Sequence, residues 1–170
     1  KDNRVLFFAE LPENFIKARR DDMDQREKEK IQFQNRCIRE LNCFYRSVAS
    51  GFQLSESAFW ILYALSDSHK EYSQQSFCDE WFLPKQTVNS SIKCLIKKNL
   101  IYLEHARSPC VKRKKVIRLT PAGKLYIEEK VERFKKAERE AFSNMTEQEQ
   151  DTFIRLIQKQ IHNLRETLNL

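Results

Sequence analysis

The stretch Pro84–Leu119 constrains this chain most, because one regular pattern passes directly into another there. Val88, Ile92, Leu95 and Ile96 recur at helical spacing, which gathers them on one face. Lys85, Gln86, Asn89, Ser90, Lys93 and Lys97 fall on the other. A helix that packs on one side and offers amides, hydroxyls and amines on the other can enter a groove. Leu100–His105 then reads as a strand, residues 107–114 as a basic turn around Pro109, and Lys115–Leu119 as the return strand. The expected unit is a polar-faced helix followed by a hairpin with a protruding tip.

Charge follows the same boundaries. Between Pro84 and Arg118 stand ten Lys/Arg against one acid, Glu104, although the whole chain carries only +7. The remainder is therefore slightly acidic. A basic patch on a near-neutral body is the electrostatic footprint of a polyanion-binding surface. Two glycines and four prolines are too few for the tight turns of an all-β fold. Abundant Lys, Glu, Arg and Leu favour helix.

The flanking segments supply the rest of the framework. Residues 1–22, interrupted by Pro12, read as an irregular arm or short helix. Ile31, Ile38, Leu41, Phe44, Tyr45 and Val48 predict a helix over 24–49, ended by Gly51. Ser55 is placed to cap a helix over 56–66 that is apolar on most sides and hence buried. Ser73 is placed to cap a short helix ending near Trp81, and Pro84 to open the next one. Thr120-Pro121 marks the start of a long helix to about Ser143. Thr146 and Glu149 match the capping box of a last helix bearing Phe153, Ile154, Ile157, Ile161, Leu164 and Leu168.

Several classes are disfavoured. Five cysteines (37, 43, 78, 94 and 110) are scattered and odd in number, which argues against a disulfide framework and for a reducing compartment. The longest apolar run, Ala58–Leu65, is far short of a membrane span, and Val5–Ala9 lacks the length of a signal peptide. The expectation is a cytoplasmic protein. His69, His105 and His162 are isolated from other ligands, so neither a metal nor another cofactor is expected. No nucleophile–base pairing or glycine-rich phosphate cradle suggests an enzyme.

Leu54-Ser55 with Phe59, Trp60 and Leu62, Tyr72-Ser73-Gln74, Gln86-Thr87-Val88, Asn99-Leu100-Ile101 and Val116–Gly123 occur in the order and spacing of the MarR family of bacterial regulators, which this chain resembles over about Arg36–Leu168. The resemblance implies a mainly α fold with a small β-hairpin wing: a winged helix-turn-helix at 54–120 and a helical dimerisation region at 23–53 and 121–170, preceded by the arm at 1–22. It implies a homodimer on double-stranded DNA. Lys85, Gln86, Thr87, Asn89, Ser90 and Lys93 would face the major groove, Ser73 and Gln74 would hold phosphates, and Arg107, Lys112, Arg113 and Lys114 would form the wing tip. Where the family's wing usually carries acids, this chain has Ser108, Cys110 and Val111, so a more positive, less braced wing is expected. A small aromatic effector is a further implication. Phe44, Tyr45, Phe52, Phe59, Trp60 and Tyr63 are candidates to line its cleft, plain core packing being the competing role. One branch of the family senses oxidants through a cysteine whose place here falls near Ile31, not at Cys37 or Cys43. The alternative to a regulator is an interaction module whose basic face binds RNA or an acidic protein.

Overall fold

The computed structural model describes residues 13–67, 70–105 and 115–169, with side chains from Asp24 onward. It divides after Val48 into two units. The first is the body of helix α1 (Glu13–Gly51). Residues 13–22, read from sequence as an arm or short helix, form the first turns of α1. Ile31, Phe33, Ile38, Leu41 and Phe44 stand 47–61 % exposed on it.

The second unit, Ala49–Leu170, holds the core. Gly51 does not turn the chain at the end of α1. The left-handed residue is Gln53 (φ 56°). Gln53 N–H donates to Ser50 O (2.8 Å) and Leu54 N–H to Ala49 O (2.9 Å), the two bonds of a Schellman motif. Leu54, buried at the end of the motif, supplies the apolar contact that makes the turn worthwhile without glycine.

Helix α2 (Glu56–Ser66) is capped by Ser55, whose Oγ accepts from Ala58 N–H (3.2 Å). Ala58, Phe59, Ile61, Leu62, Ala64 and Leu65 are buried, as an all-round apolar helix requires. Strand β1 (Tyr72–Ser73) leads into α3 (Gln74–Trp81), where Ser73 and Ser76 form a capping box. Helix α4 (Lys85–Lys97) packs on α2 and α3 through Val88, Ser91, Ile92 and Leu95. Ile96, assigned to this face from sequence, is instead 41 % exposed, and Ser91 takes its place. At about 100° per residue, Ile96 lies on the rim of the arc defined by Val88, Ile92 and Leu95. Ser91 can be buried because its hydroxyl pairs with that of Ser57 on α2 (2.6 Å).

A second Schellman motif follows α4. Asn99 is left-handed (φ 56°), and Leu100 N–H donates to Leu95 O (3.0 Å). Strands β2 (Ile101–His105) and β3 (Lys115–Leu119) pair antiparallel from Ile101↔Leu119 to His105↔Lys115. The sheet has three strands in the order β1-β3-β2, one more than the hairpin expected from sequence. Tyr72 pairs with Ile117 and Ser73 with Val116.

Thr120 joins the sheet to α5 (Pro121–Tyr126). Its Oγ1 donates to Asn99 O (2.6 Å) and accepts from Gly123 N–H (2.9 Å). A π turn (Ile127–Val131) joins α5 directly to α6 (Glu132–Ser143), so the long helix expected from sequence runs from Pro121 to Ser143 with one widened turn inside it. Lys135 on α6 is 8 % exposed and donates to Asp67 Oδ1 (2.6 Å) and Ser66 Oγ (2.9 Å) at the end of α2. Helix α7 (Glu147–Leu168) opens with the expected Thr146/Glu149 capping box. Ile154, Ile157, Ile161, Leu164 and Leu168 alternate by three and four residues along it, 43–61 % exposed. That spacing is a coiled-coil seam.

Candidate nucleic-acid interface

Helix α4 displays the polar residues assigned to its outer face. Lys85, Gln86, Asn89, Ser90 and Lys93 are exposed, as are Lys97 and Lys98. Ser90 Oγ donates to Thr87 O (2.9 Å) within the helix, which leaves the oxygen free to accept a bond from outside. Thr87 is half-buried and turns toward a cavity beside α2.

The two residues assigned to phosphates divide. Gln74 is half-buried, and its Nε2 donates to Lys85 O (3.4 Å), linking the starts of α3 and α4. Ser73 is only 4 % exposed. Its hydroxyl accepts from Ser76 N–H (3.1 Å) and its own N–H donates to Ser76 Oγ (2.8 Å), so its side chain is a helix cap inside the sheet edge rather than a phosphate ligand. Arg107, Lys112, Arg113 and Lys114 lie outside the described residues.

The base of the hairpin carries a brace that sequence reasoning missed. Arg118 on β3 donates Nε–H to Glu104 Oε2 on β2 (3.2 Å), and its terminal nitrogen pairs with Glu71. The Glu71 hydrogen bond first, and Glu104 with it, raise the guanidinium pKa above its ordinary value. Arg118 is therefore an internally compensated charge. Glu71 is 47 residues away in sequence, so no local pattern connects it to Arg118. A second cluster sits nearby. Tyr72 Oη donates to Glu80 Oε1 (3.0 Å), and Lys70 pairs with the same carboxylate. Lys70, through its hydrogen bond, holds the Glu80 carboxyl below the usual range.

Of the six aromatics assigned to an effector cleft, Phe52, Phe59, Trp60 and Tyr63 meet in one cluster. Phe59 lies 6.0 Å from Phe52, 5.1 Å from Trp60 and 6.1 Å from Tyr63, ring centre to ring centre. Phe59 has no exposed surface, which makes it core and not the wall of an open cleft. Phe44 and Tyr45 belong to the other unit, where their rings meet edge-on at 5.9 Å. Among the described residues no group of His, Cys, Asp or Glu could hold a metal ion. No described helix is long and apolar enough to cross a membrane.

No protein-family profile matches the chain, and no curated protein matches it. Solved structures do. A MarR family regulator from Neisseria meningitidis superposes with a TM-score of 0.67 at 22 % identity, covering 83 % of this chain and 96 % of that one. The chain has the MarR fold. Two other solved structures that superpose on this chain bear on the surface described above. S. aureus MepR, solved as a complex with DNA, gives 0.62 at 19 % identity over 76 % of this chain and 92 % of its own. BpsR of Bordetella bronchiseptica, whose DNA binding is regulated by 6-hydroxynicotinic acid, gives 0.56 at 22 % identity over 74 % and 91 %. Within the MarR fold, α3 and α4 are the helix-turn-helix and β2–β3 the wing.

Proposed function

We infer that this chain is a MarR-family transcriptional repressor that binds a pseudo-palindromic operator as a homodimer and is released by a small-molecule effector. The observation that carries the reading is the division of α4: one face is buried against α2 and α3, while the other presents Lys85, Gln86, Asn89 and Lys93. In a helix-turn-helix this second helix lies in the major groove with its N-terminal residues against the bases. Gln86 and Asn89 suit bidentate pairing with adenine, and Lys85 and Lys93 suit guanine acceptors or phosphates. The complex of S. aureus MepR with DNA supports this use of the fold, and the regulation of BpsR by 6-hydroxynicotinic acid supports release by an effector.

Symmetry supplies the second half-site. Two recognition helices must stand about 34 Å apart to read successive major grooves. The exposed seam of α7 fits a second copy of this chain.

The test is fluorescence anisotropy with duplex from the protein's own promoter. Asn89→Ala is expected to weaken operator binding by about 1–3 kcal/mol while leaving affinity for random duplex unchanged. Equal loss on both would remove Asn89 from base reading. Replacing Lys112, Arg113 and Lys114 together by alanine should act on all sequences alike. It should flatten the slope of log affinity against log salt by about three. An unchanged slope would remove the wing from the interface.

A further inference from the structure

The turn between α3 and α4 holds a side chain that the fold does not use. Phe82 closes α3 in the left-handed conformation (φ 52°, ψ 36°), and its N–H donates to Cys78 O. Of the described residues with positive φ, the others are Gln53, Asn99 and Asn169, all carboxamides. Asparagine tolerates that region, whereas a bulky aromatic enters it only at a cost in stability. Packing does not repay the cost. Phe82 is 81 % exposed, more than any other large apolar residue described. Its neighbours do the packing instead. Trp81 stacks on Phe77 (5.6 Å, 10°), and Leu83, whose N–H also donates to Cys78 O (3.3 Å), is half-buried. Backbone strain of this kind gathers at functional positions.

We propose that Phe82 is a specificity-determining residue that reads thymine in the operator, its ring meeting the C5 methyl group in the major groove. This rests on the DNA-binding function proposed above and adds a residue to it. Position points to the groove. Phe82 lies three residues before Lys85, the first residue of α4, and Pro84, Lys85 and Gln86 are exposed along with it. The N-terminal end of a recognition helix is the part nearest the bases. Lys85 draws the same end toward a polyanion. Chemistry then selects the target. A benzyl side chain has no hydrogen-bond donor or acceptor, so it can neither hold a phosphate nor read a base by hydrogen bonding. The apolar group that base pairs present in the major groove is the thymine methyl. Covering ring and methyl together removes apolar surface from water on both sides. Gln86 and Asn89 suit donors and acceptors; Phe82 supplies the contact that only a methyl satisfies.

Deoxyuridine pairs as thymidine does and lacks only the methyl. The experiment is fluorescence anisotropy at fixed salt with duplex from the protein's own promoter, each thymine in turn replaced by deoxyuridine. For the unmodified chain, a single replacement at the contacted position of one half-site is expected to weaken binding about fourfold, the worth of one buried methyl. Phe82→Ala should bind the thymine duplex more weakly and show no further loss with deoxyuridine at that position. Phe82→Gly, which relieves the backbone, should lose the same discrimination yet unfold at an equal or higher urea concentration. Unchanged affinity across the whole scan would overturn the inference, as would a Phe82→Ala variant that still discriminates thymine from deoxyuridine there. So would a markedly lower unfolding midpoint for Phe82→Gly, which would place the ring in the fold. A chain that binds no promoter duplex would remove the proposed function and this contact together. Tight operator binding with no dependence on a methyl would remove the contact alone.

Discussion

Replacing Gly123 by alanine is expected to cost the fold about 3 kcal/mol or more, seen as a lowered midpoint in urea unfolding. A Cβ at this position would sit 1.9 Å from Leu100 O and 2.9 Å from Leu100 C. Both are backbone atoms, so no side-chain rotation relieves the clash. The backbone at Leu100, just before β2, cannot retreat easily. Thr120 N–H donates to Leu100 O (3.1 Å), and Thr120 Oγ1 holds Asn99 O. The glycine is needed for this close approach and not for its dihedral freedom, since no glycine in the described residues has positive φ. Gly51→Ala is the control, because nothing lies within 4 Å of a Cβ there. Equal unfolding midpoints for Gly123→Ala and the unmodified chain would show that the α5–β2 contact is looser than described.

The second large effect concerns the α7 seam. If two copies pair through this seam, as proposed above, Ile157→Glu with Leu164→Glu abolishes the proposed dimer and, with it, the proposed operator binding. Each residue is about half-exposed in a single chain, 43 % and 54 %, so a monomer tolerates the charges. In a seam between two copies the same carboxylates would be buried without partners. Two such burials cost together about 4 kcal/mol or more, roughly a thousandfold in dimer affinity. Light scattering should then report monomer at micromolar concentration with helical content unchanged by circular dichroism. A double variant that remains dimeric would place the interface elsewhere.

Much of this architecture is legible in the sequence, for identifiable reasons. Helix α2 is legible because an all-round apolar pattern has one physical outcome. Thr120-Pro121 and the Thr146/Glu149 box are legible because capping chemistry is local. What escapes is what depends on distant partners. Strand β1 is two residues long, and Ser73 is equally suited to cap a helix, so only Val116 and Ile117 on β3 reveal the strand. The π turn runs through Ile127-Glu-Glu-Lys-Val131, residues of ordinary helical character, and nothing local marks the extra residue. The Arg118 brace joins Glu71 and Glu104 from separate segments, replacing at the wing's base the acids that its tip lacks. Of the proposed interface, the exposed face of α4 follows from periodicity alone. Ser73 does not follow, because a hydroxyl in a turn serves a helix cap or a phosphate with the same sequence signature.

The most direct test of the account is a footprint on the protein's own promoter in the presence of excess random duplex. Protection of two half-sites about one helical turn apart, with a preference of about a thousandfold or more over random sequence, is the predicted result. Protection that disappears under competitor, or that a single-stranded RNA of the same sequence removes equally well, would contradict it.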